Sequence, residues 1–257
     1  MKKKFYQRSI ELTNGPLTSG MIRQFAQSRL SRWMIPSYIR TYKIDTADVG
    51  QPLGSFGTLH DFFIRRLKAE SRPVAEEPVV SPVDGKIEIA GKLHEGISFL
   101  VKGQQYFLGD LLGSDELARV YQNGDYIVLY LSPADYHRIH SPADGSLRKQ
   151  YVLGKKSYPV NQAGLSYGKA PISGNYRLIT ELETEFGPML VVKVGAMFVN
   201  SIELTKTGAE WNKGEEVAYF SFGSTVVLFF KEGEIAFTEN VQNGKRVKVG
   251  EALARML

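Results

Sequence analysis

The chain has 257 residues and an ordinary balance of apolar and charged side chains, which suits one large domain with at most a small appendage. It holds no cysteine and only four histidines, so disulfides, thiolate metal sites and cysteine nucleophiles are excluded. The net charge of +5 is uneven: residues 1–43 carry nine Lys or Arg against the single acid Glu11, the remainder is net acidic, and an anionic partner is expected for the first segment alone.

Met1-Lys2-Lys3-Lys4 is basic but no continuous apolar core follows it, so a cleavable signal peptide is not expected and the protein should stay inside the cell. No run of about 18 apolar residues is present to span a membrane. Residues 17–43 read as helical, with Met21, Ile22, Phe25, Leu30, Trp33, Met34 and Tyr38 at helix-like intervals and Pro36 expected to break or kink the pattern. Arg23, Arg29 and Arg32 stand among Phe25 and Trp33, the mixture an interfacial helix needs: rings enter the acyl boundary while cations meet headgroups. A helix packed on its own domain would show a similar stripe. No nucleic-acid-binding motif accompanies the basic residues, and nucleic acid is not an expected partner.

Residues 44–57 read as a connection, after which Thr58 is placed to cap a short helix with Leu59, Phe62, Phe63 and Leu67 on one face. From residue 79 short alternating or wholly apolar runs take over: Lys86–Ala90, Tyr126–Leu131, Tyr176–Leu182, Leu190–Val194, Phe198–Leu204, Thr225–Phe230 and Glu234–Thr238. Strands this frequent do not alternate with helices, so the expected fold is α+β: a mainly antiparallel β body, residues 51–257, behind a basic amphipathic helical segment, residues 1–50. Ser81-Pro82-Val83-Asp84-Gly85 recurs as Ser141-Pro142-Ala143-Asp144-Gly145, in each case turn chemistry leading into a strand. The tail, Val241–Leu257, has the Gly/Val rhythm of lipoyl-type barrel halves without their Asp-Lys-Ala attachment site.

Three stretches carry chemistry. Gly223-Ser224 precedes a strongly apolar strand; glycine has no side chain, so a serine oxygen can approach its carbonyl and the backbone can cut itself there. Such a serine needs a base, and the base an orienting acid. Ser132–Pro142 contains His137 and His140, three apart, which could share a helical face or line a tight turn. Acid–base work suits them better than metal binding, because no carboxylate ligand motif accompanies the pair. Asp84, alone, reads as a turn residue.

These stretches, in this order, resemble the phosphatidylserine decarboxylase family. Phe56-Gly57-Thr58-Leu59-His60-Asp61-Phe62-Phe63-Ile64-Arg65, Tyr158-Pro159-Val160-Asn161, Glu185-Phe186-Gly187-Pro188-Met189 and Val194-Gly195-Ala196-Met197-Phe198-Val199 add to the resemblance, which runs from about residue 50 to about residue 230. Phe222 and Ala218 depart from residues common in the family, where leucine and glycine are frequent. The resemblance implies self-cleavage between Gly223 and Ser224 into a β chain (1–223) and an α chain (224–257) that begins with a covalent pyruvoyl group made from Ser224. It implies that Asp84 orients His140, that His140 deprotonates Ser224, and that His137 acts later, in decarboxylation. The implied partners are phosphatidylserine and, through the basic segment, an anionic membrane surface; the implied place is the cytoplasmic side of the cell membrane, held peripherally. Oligomerisation stays open, as do two rivals: a pyruvoyl decarboxylase of a soluble amino acid, and an uncleaved barrel that binds membranes or a carrier group.

Overall fold

The computed structural model describes residues 16–94, 96–101, 103–155, 158, 171–196, 202–221 and 224–257. Among these, the first elements are helices α1 (Pro16–Ala26) and α2 (Ile35–Tyr42), separated by a 3-10 turn at Arg29–Met34. The expected break at Pro36 falls earlier, at Gln27–Ser28. Pro36 lies in the first turn of α2, where its missing N–H and fixed φ cost nothing. The hydroxyl of buried Ser31 lies 2.8 Å from the carbonyls of Ala26 and Ser28 and accepts the Leu59 N–H, tying the turn to α3 (Leu59–Phe63). Thr58 caps α3 as its position predicts, its hydroxyl accepting the Asp61 N–H at 3.0 Å. Ile35, Ile44, Val49, Phe56, Leu59 and Phe62 form one small core beneath these elements. Met21, Leu30 and Trp33 stay outside it, each about 70% exposed.

The β body is antiparallel throughout. Its strands are β1 (Val79–Val80), β2 (Gly85–Lys92), β3 (Ser98–Val101), β4 (Gln104–Phe107), β5 (Asp125–Leu131), β6 (Arg138–His140), β7 (Gly145–Leu153) and β8 (Arg177–Thr184). They continue with β9 (Gly187–Gly195), β10 (Ile202–Leu204), β11 (Glu210–Trp211), β12 (Glu216–Phe220), β13 (Ser224–Phe230), β14 (Ile235–Phe237), β15 (Arg246–Val247) and β16 (Ala252–Met256). An eight-stranded sheet runs β11-β7-β8-β9-β13-β5-β2-β15; β10-β12-β6 and β1-β16-β14 are small sheets, and β3-β4 is a hairpin. On one face of the large sheet, Leu129, Val191, Val226 and Leu228 pack with Ile139, Val217 and Phe220 of β6 and β12 and with Leu253 of β16. On the other, Val128, Val192, Val227 and Phe229 pack with Phe99 and Tyr106 of the hairpin and with Leu108, Leu111 and Ile172 of short helices. Burial on both sides explains why Val226-Val227-Leu228-Phe229-Phe230 is apolar without alternation. The expected strand at Phe198–Leu204 appears among the described residues only as Ile202–Leu204, the residues before it lying outside the description.

The repeated turns are structural twins. In each, the serine hydroxyl donates two residues ahead, Ser81 to the Val83 carbonyl and Ser141 to the Ala143 carbonyl, both at 2.7 Å. The Val80 N–H donates to the Pro142 carbonyl and the His140 N–H to the Pro82 carbonyl, each at 2.8 Å, so the two segments run side by side about a local two-fold axis. Asp84 accepts the Val249 N–H and Asp144 the Lys213 N–H. Each aspartate thereby holds a turn with a glycine at positive φ, Gly250 at +85° and Gly214 at +80°. The strand after each turn pairs with a two-residue strand beside the glycine, β2 with β15 and β7 with β11.

Lys193 on β9 is fully buried, donates to Thr180 Oγ1 at 2.7 Å and lies 5.4 Å from the centre of the Trp211 ring. Burial lowers its pKa to about 7. The unfolded chain therefore binds a proton that the folded chain has largely lost between about pH 7 and pH 10, so stability rises with pH over that window by up to about 1.4 kcal/mol per unit. Lys193→Met should raise stability at pH 7 and flatten this slope; denaturant unfolding at pH 7 and pH 9 measures both.

Candidate active site

Four strands reach the same end of the large sheet. β9 closes at Gly195, β13 opens at Ser224, β5 closes at Leu131 and β2 opens at Gly85. The Ser224 backbone pairs with Leu131 on one side and Gly195 on the other. A Cβ on Gly85 would stand 2.7 Å from the Tyr130 carbonyl oxygen, so glycine is what lets β2 and Asp84 come this close to β5. Upstream, the Phe220 N–H donates to the His137 carbonyl at 2.9 Å. Phe220 is thus anchored to the backbone of His137, and Ser224 is paired with that of Leu131. Phe222 and Gly223, and with them the expected scissile bond, lie outside the described residues.

The two histidines occupy neither a helix nor a common face. His137 precedes β6 and His140 ends it. The His137 ring is fully buried and stacks on Phe63, with centroids 3.9 Å apart. Its Nε2 lies 3.0 Å from the Ser132 carbonyl and therefore carries the proton, which leaves Nδ1 as a bare acceptor without a partner among the described residues. Burial, and then the nearby Arg65 charge, push the His137 pKa down to about 3. Asp135 shapes the loop above it, accepting the Ser132 N–H and hydroxyl on Oδ2 and pairing with Arg246 through Oδ1.

His140 has the opposite tautomer. Nδ1–H donates to the Gly214 carbonyl at 2.8 Å, and Nε2 faces the Tyr136 hydroxyl at 3.1 Å. Burial raises the Tyr136 pKa, so the phenol stays protonated and donates. Burial also lowers the pKa of His140, against the opposing Gly214 bond and the Glu216 and Asp84 charges.

Asp84 is buried and closes on Arg72. Its carboxylate takes Nε at 2.9 Å and Nη2 at 2.6 Å, while Arg72 Nη1 reaches Asp48 at 2.9 Å. Burial works against the Arg72 charge, but the Asp84 and Asp48 bonds outweigh it and hold the guanidinium above its ordinary value. The hydrogen bonds of Asp84 go to Arg72 and the Val249 N–H, and those of His140 to Gly214 and Tyr136, so the expected pair lies within electrostatic reach and not in direct contact. Arg72, Tyr136 and His140 share a cavity of about 530 Å³ with Arg66, Gly214 and Glu216. Arg72 and Gly214 carry no sequence signal for this role, because their partners are distant in the chain. Tyr136 is visible only as part of the Asp-Tyr pair beside the histidines.

The expected membrane residues lie apart from this cluster. Phe25 is 42% and Trp33 71% exposed; Arg23 pairs with Glu203 at 3.5 Å and Arg32 donates to the Gly54 carbonyl at 2.6 Å; Arg29 is exposed. No helix among the described residues is long and apolar enough to cross a membrane.

Residues 59–255 match the family model described as phosphatidylserine decarboxylase. The chain is also 48% identical to a phosphatidylserine decarboxylase proenzyme of Bacillus mycoides, over 99% of this chain and 98% of that one. It is 51% identical to one of Geobacillus sp. strain WCH70, over 98% of each chain, and 47% identical to one of Bacillus thuringiensis subsp. konkukian, over 100% and 99%. Similarity thus extends beyond residues 50–230, through the basic N-terminus and the tail.

The opposed tautomers can be checked by NMR. In the full chain, His137 should stay neutral from pH 8 to pH 5 with the proton on Nε2, and His140 should carry its proton on Nδ1. Tyr136→Phe removes a donor to neutral His140, so the midpoint of His140 should move up while His137 does not respond.

Proposed function

The chain belongs to the phosphatidylserine decarboxylase family, and from that premise we propose that it cuts itself between Gly223 and Ser224 and then converts phosphatidylserine to phosphatidylethanolamine and carbon dioxide. The observation that carries the reading is the near-complete span of that similarity, which includes the Gly223-Ser224 pair, with Ser224 opening the strand that lies next to β5.

In the cut, the Ser224 hydroxyl gives its proton to Nε2 of His140 and its oxygen attacks the Gly223 carbonyl carbon. The amide nitrogen leaves that carbon and takes the proton, and an ester replaces the peptide bond. Loss of the Ser224 Cα proton expels the Gly223 carboxylate and leaves a dehydroalanine. Water then releases ammonia and a pyruvoyl group remains. For His140 to serve, the Tyr136 hydroxyl must yield its place at Nε2, while the Gly214 carbonyl keeps the ring oriented. Asp84 favours the imidazolium through its charge, held in place by Arg72.

The surroundings fit a pyruvoyl group: Ser224 opens a strand held on both sides, and His137 keeps a bare, buried Nδ1 close to that end. The group supplies an electron sink for the pair released as carbon dioxide departs. His137, kept neutral by burial, offers its bare Nδ1 as a hydrogen-bond acceptor that can orient the headgroup amine. The cavity beside His140 is shared by Arg72 and Arg66, cations that attract an anionic headgroup. The β chain 1–223 and the α chain 224–257 stay joined by the hydrogen bonds of β13 to β5 and β9.

The enzyme works peripherally, on the cytoplasmic side of the cell membrane. Met21, Phe25, Leu30 and Trp33 offer an exposed apolar surface, and the basic residues around them meet anionic lipid.

Intact-mass measurement should find two chains, the smaller beginning at residue 224 with a pyruvoyl group; one unmodified chain from folded protein defeats the reading. Ser224→Ala should stay whole, and His140→Ala should slow cleavage by roughly a hundredfold or more. His137→Ala should mature and then lose about as much in kcat.

For the membrane, Arg23, Arg29 and Arg32 changed together to Gln should weaken co-sedimentation with anionic vesicles and flatten its salt dependence. Phe25→Ser with Trp33→Ser should instead weaken the part that survives high salt. Unchanged sedimentation of both variants would place the lipid contact elsewhere.

A further inference from the structure

A second cavity, of about 490 Å³, lies beside the one that holds His140 and has no part in the proton chemistry above. Its walls include Arg65, Arg66 and Arg138, together with Gly57 and Asp61. Arg65 is the unusual member. It is only 4% exposed, and Nη2 donates to the carbonyls of Ala134 and Asp135, while Nε and Nη1 are buried and have no hydrogen-bond partner among the described residues. Its guanidinium lies 5.2 Å from the centre of the Phe62 ring, so Arg65 acts on the cavity through its charge, which the low-dielectric surroundings strengthen. Arg66 is exposed and forms no ion pair among the described residues. Arg138 is fixed by the Ile64 carbonyl through Nε and by Glu216 through Nη1. With Asp61 and Glu216 set against the three arginines, one positive charge is left over.

The cavity's place in the fold narrows the ligand. Arg66 lines both cavities. Arg138 and His140 are two apart on β6, so they project from the same face about 6.5 Å from each other. The few bonds between phosphorus and the amine nitrogen of a serine headgroup give a comparable reach. On the other side, the loop that lines the cavity with Gln51, Ser55 and Phe56 is held at Gly54 by Arg32, between the exposed Leu30 and Trp33. The cavity therefore lies between the apolar surface of the N-terminal helices and the His140 imidazole.

We propose that the cavity lined by Arg65, Arg66 and Arg138 binds a phosphodiester monoanion, the phosphate of the lipid headgroup, and so sets the amine at the reacting centre. Guanidinium forks match phosphate oxygens in pairs, and the single surplus charge suits a diester better than a dianionic monoester. This deepens the decarboxylase reading and rests on it for the identity of the lipid.

The test uses the matured full-length enzyme, with Arg66→Gln as the main variant, because its side chain is exposed and unpaired, and Arg65→Gln as the second. Both are first checked for two chains by mass and for an unchanged melting temperature; an Arg65→Gln chain that fails this check is replaced by Arg65→Lys. With short-chain phosphatidylserine below its micelle concentration, Arg66→Gln should raise KM about tenfold and leave kcat nearly unchanged. In calorimetric titrations, glycerophosphoethanolamine should bind the wild type, ethanolamine should not compete with it, and both variants should bind it about tenfold more weakly. Wild-type affinity in both variants overturns the site. Inorganic phosphate that binds the wild type more tightly than glycerophosphoethanolamine overturns the headgroup assignment in favour of a free phosphate. A wild-type enzyme that turns over no phosphatidylserine refutes the activity, whereas the titrations still decide the site.

Discussion

The double pairing of β13 is the constraint on which the rest depends. This strand has neighbours on both sides and, from Val226 on, apolar cores on both faces, so its backbone is paired on both sides from its first residue. Everything around Ser224 is built to that fixed point. Leu131 and Gly195 stand beside it, Gly85 lets Asp84 approach from the next strand, and the His137 carbonyl holds the incoming chain at Phe220. A strand buried in this way survives a cut at its own start, because the bonds that hold it lie downstream of the cut.

Burial sets the electrostatics as well. The same packing that seats His137 on Phe63 keeps it neutral, whereas His140, at a cavity wall, keeps contact with charged neighbours. Two imidazoles three residues apart are thereby given different tautomers and different acidities. The difference is produced by one carbonyl each, that of Ser132 for His137 and that of Gly214 for His140. The aspartate next to the site is engaged by Arg72, so its influence on His140 is one of field.

Much of this was legible in the sequence, and the reasons are local. The apolar run after Ser224, the Thr58 cap and the strand punctuation are short-range signals, and they led to the α+β body and to the strands that frame the site. Gly145–Leu153 escaped because it is half exposed and polar, with Arg148, Lys149 and Gln150 in its middle, so the apolar count was low. Pro36 reads as a breaker because the pattern shows its presence in a helical stretch and not its place in the first turn. The site residues with distinctive chemistry, Ser224, His137, His140 and Asp84, could be singled out by type and company. Arg72, Arg65 and Gly214 could not, since each acts through a partner far away in the chain or through a backbone carbonyl that looks the same at every position.

The twin turns extend the meaning of the repeat. Their hydrogen bonds, glycines and flanking strands coincide, yet the residue before the serine is valine in one copy and histidine in the other. One copy is a rivet: its aspartate takes Arg72 and its valine is fully buried. In the other, the same backbone presents an imidazole to a cavity. Such a duplicated clasp divides duties that a lone motif would have to combine, since one half bears the mechanical load and lends only its aspartate's field, while its counterpart carries the imidazole. Innovation at the second half then carries little risk to the architecture, which is a condition under which a self-modifying protein could acquire its chemistry without first losing its shape.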